Sequence, residues 1–169
     1  MIKQFSQRIY YTPYQHETDR PNLGYVRGDR LALMFDGGAS PKHVAEYKSE
    51  LEREGLPRPG MAVLSHWHWD HSFGICALDV PVLAGRQTYE KLCQMARWSW
   101  DEDSMERRLS SGEEILFCHH MLHQEYGDCR TIQVRGADVA FDGEITVDLG
   151  GVTCRLIHAG GPHAPDSVI

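Results

Sequence analysis

The chain has 169 residues, of which 41% are hydrophobic and 24% are charged, and its formal net charge at pH 7 is −7. This length and balance predict one soluble globular domain, spanning residues 1–169, and leave too few residues for two. No run of Lys or Arg is longer than a pair, so the sequence lacks the basic footprint of a protein that follows a phosphate backbone. Nucleic acid is therefore not expected as a partner.

The N-terminal residues 1–14 mix charged and amide side chains with apolar ones, which is not the pattern of a secretory signal. No apolar run approaches the roughly 18 residues of a membrane span. The cysteines are odd in number, widely spaced and without a CxxC pair: Cys76, Cys93, Cys118, Cys129 and Cys154. We expect reduced thiols and a cytoplasmic protein without a membrane partner, although a secreted form whose signal has been removed would have the same features.

The first predicted elements are two strands and a helix. Residues 24–35 predict two short strands around a polar turn at 27–30, and the apolar run 31–35 is typical of a buried strand. Ser40 followed by Pro41 predicts a helix start, because the Ser side chain caps free amides and Pro fits the first helical position. Apolar residues at near-helical spacing continue this helix to about Gly55.

Strands and helices alternate further along the chain, and strands then accumulate. Residues 61–64 and 80–84 predict strands, and residues 88–98 and 101–109 predict helices. The His-rich segment 118–128 has no clear period and receives no assignment. Three strands within 139–157, with a turn at Asp142-Gly143, predict an antiparallel meander. This order favours an α/β layered sandwich over a helix bundle or a β-barrel.

A polar cluster follows the strand at 61–64 directly. If the chain stays extended, His66 and His68 point to the same side with Cα atoms roughly 6.6 Å apart, so that both imidazoles can bind one ion. Zinc takes His nitrogen at about 2.0 to 2.1 Å, and a catalytic site keeps one position open for water. Asp70 and His71 add an oxygen and a nitrogen, enough to begin a second metal site.

Chance explains this pattern poorly, since His-x-His-x-Asp-His should arise in roughly two or three per thousand chains of this composition. For the other histidines, solvation or structural pairing is the expected role rather than metal binding. They are His16, His43, His119, His120 and His123.

The segment 63–71 resembles the metal-binding signature of the metallo-β-lactamase superfamily. Four further segments resemble family features in the same order: 33–38, 81–84, 147–152 and 160–167. The match extends over most of the chain from Gly24, except about residues 97–135. The resemblance implies an αββα sandwich with metals at one edge between two sheets.

The resemblance also implies a ligand set: His66, His68 and His163 for the first metal, and Asp70 with His71 for the second. Zinc is the expected metal, as one or two ions, and iron or manganese would suit the same donors. Asp36 is implied to accept hydrogen bonds that hold the ligand loop. His158 competes with His163, but the end of an apolar strand more often carries a satisfied core histidine, so we favour His163.

The chain departs from the family at its C-terminal end. The remaining family ligands, an Asp or Cys and a last His, normally follow the third histidine by dozens of residues, and no residue after His163 can supply them. We expect a fragment of a longer chain, with a truncated relative as the alternative.

The function implied is a metal-dependent hydrolase that uses activated water on an ester, thioester, lactone, lactam or similar bond of a small molecule. Asp70 would orient the nucleophile and relay a proton. Two alternatives remain open at this stage: an iron-dependent oxidoreductase of the same fold, and a non-catalytic metal-binding module.

Overall fold

A computed structural model describes residues 1–169, with nine strands and five α-helices. The strands are β1 (Lys3–Gln4), β2 (Ile9–Thr12), β3 (Leu23–Arg27), β4 (Ala32–Phe35), β5 (Met61–Val63), β6 (Val82–Gly85), β7 (Val139–Phe141), β8 (Glu144–Asp148) and β9 (Thr153–Ile157). The helices are α1 (Pro41–Arg53), α2 (Trp69–Ser72), α3 (Arg86–Met95), α4 (Glu102–Ser111) and α5 (Leu116–Tyr126). No helix is long and apolar enough to pass through a lipid bilayer.

Seven strands form one sheet in chain order from β1 to β7, and β8 pairs with β9 in a separate hairpin. Strands β1 to β4 are antiparallel, whereas β4 to β7 run parallel. The connections between the parallel strands carry the helices, as parallel pairing requires. The carboxyl ends of β4 and β5 therefore lie side by side at one edge of the sheet.

The parallel strands β4, β5 and β6 are buried on both faces, which explains their near-continuous apolar sequences. Side chains alternate across the sheet: Leu33 lies in a core between the two sheets, and Met34 lies in a core beneath α1 and α3. We call these the inter-sheet core and the helix-side core. In the hairpin, Leu156 packs into the inter-sheet core.

The layers are therefore helices, a seven-stranded sheet and a two-stranded sheet. The outward face of the hairpin is polar and exposed, through Glu144, Thr146, Asp148, Thr153 and Arg155. These layers confirm the predicted αββα class, and the second helical layer is not formed by residues 1–169.

The predicted meander is wrong in one strand. β7 pairs in parallel with β6, with Leu83 opposite Val139, instead of with β8. The side chain of Phe141 fills the inter-sheet core, and the turn at Gly143, whose φ is 65°, then carries the chain from the first sheet to the second. A turn sequence between two apolar segments indicates a hairpin, but it does not say which sheet each segment joins.

Helices α4 and α5 occupy the segment that departs from the family pattern. Asp101 caps α4 by accepting a hydrogen bond from the Ser104 amide. These helices have their own apolar contacts, which we call the helical cluster. Its buried members are Ala39, Trp69, Phe73, Met95, Trp100, Met105, Leu122, Cys129 and Ile132. Because Trp69 lies within the signature segment 63–71 and Phe73 follows it closely, the cluster seats α4 and α5 against that segment.

A buried ion pair also holds α5 in place. The Arg20 guanidinium donates to both carboxylate oxygens of Glu125, from Nε and Nη2 at 2.9 Å each. Its Nη1 donates to Glu46 of α1 at 2.6 Å, and the Ser40 hydroxyl donates to Glu125. Since Arg20 is 4% and Glu125 1% exposed, this pair joins the β2–β3 loop to two helices without help from solvent.

Candidate metal centre

The sequence-predicted ligands lie at the carboxyl edge of the parallel strands, where α/β sheets commonly bind ligands. β4 ends immediately before Asp36, and β5 ends shortly before Ser65. After β5 the chain bends at Ser65, and it is extended at His68, whose φ and ψ are −53° and 144°. The His66 and His68 rings therefore lie side by side, with centroids 4.5 Å apart. Helix α2 then begins and presents Asp70 and His71.

His163 completes the histidine group. One ligand atom from each of His66, His68 and His163 lies within 4.8 Å of the others, and the two Nε2 atoms of His66 and His163 are 3.3 Å apart. His158 does not join them. It is exposed, and its Nε2 is 3.0 Å from the Pro165 carbonyl, so the expectation of a core histidine at that position is wrong.

This geometry fits a metal ion. Two ligands at about 2.0 to 2.1 Å from a tetrahedral zinc are separated by roughly 3.3 Å, which matches the 3.3 Å between His66 Nε2 and His163 Nε2. The Ser65 hydroxyl contacts His66 Nδ1 at 2.8 Å, which leaves His66 Nε2 available. Three nitrogen donors thus converge with one position open.

His71 lies between two carboxylates. Its Nδ1 is 2.7 Å from Asp36 and its Nε2 is 3.2 Å from Asp70. Burial opposes the charged imidazole, but hydrogen bonds to Asp36 and Asp70 outweigh burial and raise the pKa of His71 to about 10. Burial, assisted by the His71 and His68 rings, lowers the pKa of His66 to about 4. Asp36 and Asp70 thus favour a positive charge on the His71 ring. A metal bound at His71 Nε2 would take the place of the proton on that nitrogen.

Asp36 positions this group through both carboxylate oxygens. Oδ1 accepts from the Ser65 amide at 2.7 Å, and Oδ2 contacts His71. Its backbone is left-handed, with φ 69°, a conformation that Asp and Asn tolerate better than most residues. The expected role of Asp36 in holding the ligand loop agrees with these contacts.

We expect Asp36→Asn to keep the fold but weaken metal binding about 10- to 100-fold. The Asn oxygen can still accept from Ser65, while the amide NH2 would face His71 Nδ1. That ring would then carry its proton on Nε2, the atom that faces Asp70. Zinc titration calorimetry on the metal-free proteins measures the effect, with circular dichroism as the check on folding. Equal zinc affinity in a folded variant would contradict this role for Asp36.

Asp166 is a positioning residue that the sequence did not reveal. It is buried, and its Oδ2 accepts from the Trp67 amide at 3.0 Å and from the Thr88 hydroxyl at 2.7 Å. It therefore fastens the loop of His163 to the signature loop and to α3. The only sequence signal is a carboxylate three positions after His163 in a Gly- and Pro-rich loop.

A cleft of about 430 Å³ opens over these side chains. Four sequence-predicted ligands line it: His68, Asp70, His71 and His163. The rest of the lining includes Trp67, Met95, Ile115, Phe117 and Cys118. Trp69 is buried in the helical cluster, and it also reaches the cleft. Metal donors and apolar side chains in one cleft make this a candidate substrate site.

Solved structures of metallo-beta-lactamases share this fold. One from Cronobacter sakazakii is 15% identical with a TM-score of 0.67, and one from Pontibacter korlensis is 20% identical with a TM-score of 0.63. A class B3 di-zinc enzyme from an Alaskan soil metagenome, LRA-12, is 10% identical with a TM-score of 0.67. Each covers 99% of this chain, which spans only 57%, 64% and 55% of theirs respectively.

No curated protein matches the chain. The sequence profile of the metallo-beta-lactamase superfamily matches residues 17–169, which include every candidate ligand described above. Together with the sandwich and the grouping of His66, His68 and His163, this match assigns the family. The chain belongs to the metallo-beta-lactamase superfamily.

Proposed function

We propose that this protein is a metal-dependent hydrolase that cleaves an ester, thioester, lactone, lactam or similar bond in a small molecule. The observation that carries the proposal is the convergence of His66, His68 and His163 beside Asp70 and His71, at a cleft that apolar side chains also line. In this proposal the three histidines bind a first zinc ion, and Asp70 with His71 contributes to a second.

When bound, zinc supplies a water whose pKa falls from about 15.7 to about 7, together with polarisation of the substrate carbonyl. Asp70 would orient the attacking water and accept its proton. Its carboxylate lies at the start of α2 and lines the cleft, 3.2 Å from His71 Nε2. Burial opposes its ionisation, but the hydrogen bond to His71 lowers the pKa of Asp70 below its ordinary value. It is therefore ionised at neutral pH and can act as a base.

The walls of the cleft indicate the kind of substrate. Trp67, Met95 and Phe117 provide apolar surface for an acyl group. The charged side chains of the lining outside the ligand group are carboxylates, from Asp19, Glu113 and Glu114, and no Lys or Arg lines the cleft. We infer that neutral or cationic acyl substrates are preferred over anionic ones.

All five cysteines are free thiols. They support the reducing, cytoplasmic setting that we propose for the protein, since disulfides are rare there.

The test is hydrolysis of a panel of neutral esters, thioesters and lactones beside a carboxylate-bearing β-lactam, with zinc-loaded and chelated protein. We expect activity on a neutral substrate that disappears on chelation and falls at least about 100-fold in Asp70→Asn. Full activity in the metal-free preparation would contradict the proposal. Stoichiometric iron, with absorption that responds to a reductant, would favour the oxidoreductase instead.

A further inference from the structure

Helices α4 and α5 bring together a second group of metal-binding side chains, far along the chain from the first. His119 and His123 are four residues apart on α5 and therefore share one helix face. Glu102 lies in the first turn of α4. One ligand atom from each of these three residues lies within 4.8 Å of the others, and Glu102 Oε2 is 3.6 Å from His123 Nε2.

The two histidines lack the partners that buried polar groups normally have. The His119 side chain is only 8% exposed, yet neither of its ring nitrogens makes a hydrogen bond, and the buried Nε2 of His123 makes none either. The nearest carboxylate to His119 is Glu106, 3.7 Å from Nε2, which is too far for a hydrogen bond. Since buried polar groups without a partner are rare, these nitrogens indicate a missing ligand.

The surroundings offer a cation both an entrance and negative charge. A cleft of about 590 Å³ reaches Glu102 and His123 from solvent, and Asp101, Asp103 and Asp128 line it, with Arg130 as its only basic residue. On the inner side, Cys129 Sγ lies 3.5 Å from His123 Nδ1. That contact turns the other nitrogen, Nε2, towards Glu102.

We propose that Glu102, His119 and His123 bind a divalent transition metal, with zinc as the best match, at a site separate from the His66 centre. Two histidines spaced His-x₃-His and one carboxylate are an established donor set for zinc with one position left for water. Ligand atoms around a tetrahedral zinc are roughly 3.3 Å apart, so these side chains, now within 4.8 Å of one another, need to move closer, and Glu102, 63% exposed, is free to move. The proposal replaces the sequence-based expectation that His119 and His123 are merely solvated or paired.

Such a metal would clamp α4 to α5. The first turn of α5 carries Phe117 and Cys118 into the wall of the substrate cleft. Metal at Glu102, His119 and His123 would therefore fix the position of that wall. The site itself rests on the geometry of α4 and α5 and does not depend on the proposed hydrolase activity.

The test measures zinc content by mass spectrometry after the full chain is stripped with a chelator, reloaded and desalted. We expect His123→Gln to bind one zinc fewer per chain than the wild type, and Glu102→Gln to bind this zinc at least about tenfold more weakly. His120→Gln, an exposed neighbour on the same helix, is the matched control and should retain the full zinc content. Glu106→Gln tests the second nearby carboxylate and should also retain it.

His163→Ala separates the two sites. It should lose zinc from the His66 centre while its remaining zinc still disappears when His123→Gln is added. Circular dichroism of the metal-free proteins checks folding, and Glu102→Gln, which changes one exposed side chain, carries the test if His123→Gln does not fold. Wild-type zinc content and affinity in both variants would overturn the proposal and leave two ordinary histidine–carboxylate pairs.

Discussion

Replacing His163 with alanine should abolish the rise in melting temperature that zinc confers through the His66 centre. A ligand at 100 times its dissociation constant stabilises the folded state by about 2.7 kcal/mol, which corresponds to roughly 5 to 10 °C for a chain of this size. All proteins in this comparison also carry His123→Gln, so that zinc at the second proposed site does not contribute to the melting temperature. Differential scanning calorimetry with and without zinc then gives the result.

The size of the effect follows from the position of His163 in the chain. His66 and His68 meet through local backbone geometry, whereas His163 is 97 residues from His66 and reaches it only in the folded sandwich. Metal binding and folding are therefore linked through this residue. Without it, two histidines remain on the first metal, and the long-range link is lost.

His158→Ala is the matched control, because His158 lies on the same C-terminal segment, is exposed and contacts only the Pro165 carbonyl through its ring. Its zinc-dependent shift should equal that of the parent. If His158→Ala lost the shift and His163→Ala kept it, the third ligand would be assigned to the wrong histidine.

The largest loss of stability is expected from Arg20→Ala. This change leaves the carboxylate of Glu125, which is 1% exposed, buried without its cation. Removing one partner of a buried pair costs about 3 to 5 kcal/mol, which should lower the melting temperature by roughly 6 to 20 °C. Urea unfolding followed by circular dichroism gives the free energy of unfolding directly.

Two variants test this explanation. Replacing both partners, as Arg20→Met with Glu125→Leu, should recover most of the loss, because no buried charge then remains. Arg155→Ala removes a comparable contact to Glu144 on the exposed hairpin, where the side chains are 63% and 42% exposed, and should cost less than about 1 kcal/mol. Equal losses for Arg20→Ala and Arg155→Ala would refute the role of burial.

The elements that the sequence predicted are those whose signals are local. α1 begins at Pro41 after Ser40, whose side chain accepts from the His43 amide, and it buries Val44, Tyr47 and Leu51 as the spacing predicted. The strands β3 to β6 also formed at nearly the predicted bounds. In each case the capping residue or apolar run fixes the structure without reference to distant residues.

α5 could not be assigned because its apolar residues do not follow its buried face. Ile115, Leu116 and Phe117 at its start are 60%, 57% and 52% exposed, whereas the polar His119 is buried. An amphipathic period is therefore absent from the sequence, and tertiary contacts decide the helix. The predicted pairing of β7 was wrong for a related reason, since its pairing partner β6 lies more than fifty residues earlier.

The residues of the candidate metal centre also differ in whether local spacing predicts them. Four candidate ligands lie within six residues of the chain, and their spacing alone predicts a metal site: His66, His68, Asp70 and His71. His163 came from the resemblance to the superfamily, and the structure places it beside His66. Asp166 was missed because its contact with Trp67 spans 99 residues, and a lone carboxylate carries no spacing that would single it out.

Part of the wall of the substrate cleft comes from a different segment of the chain than the metal donors, and the helical cluster joins the two segments. The donors stand on α2 and on loops at the sheet edge, while Ile115, Phe117 and Cys118 belong to or adjoin α5, which packs through the helical cluster. Substitutions of the exposed Ile115 and Phe117 can thus alter which molecules enter while the His66 centre keeps its ligands. Evolution, or a protein engineer, could vary these exposed positions and obtain new specificities, as long as the packing of Trp69 and Phe73 in the helical cluster is preserved.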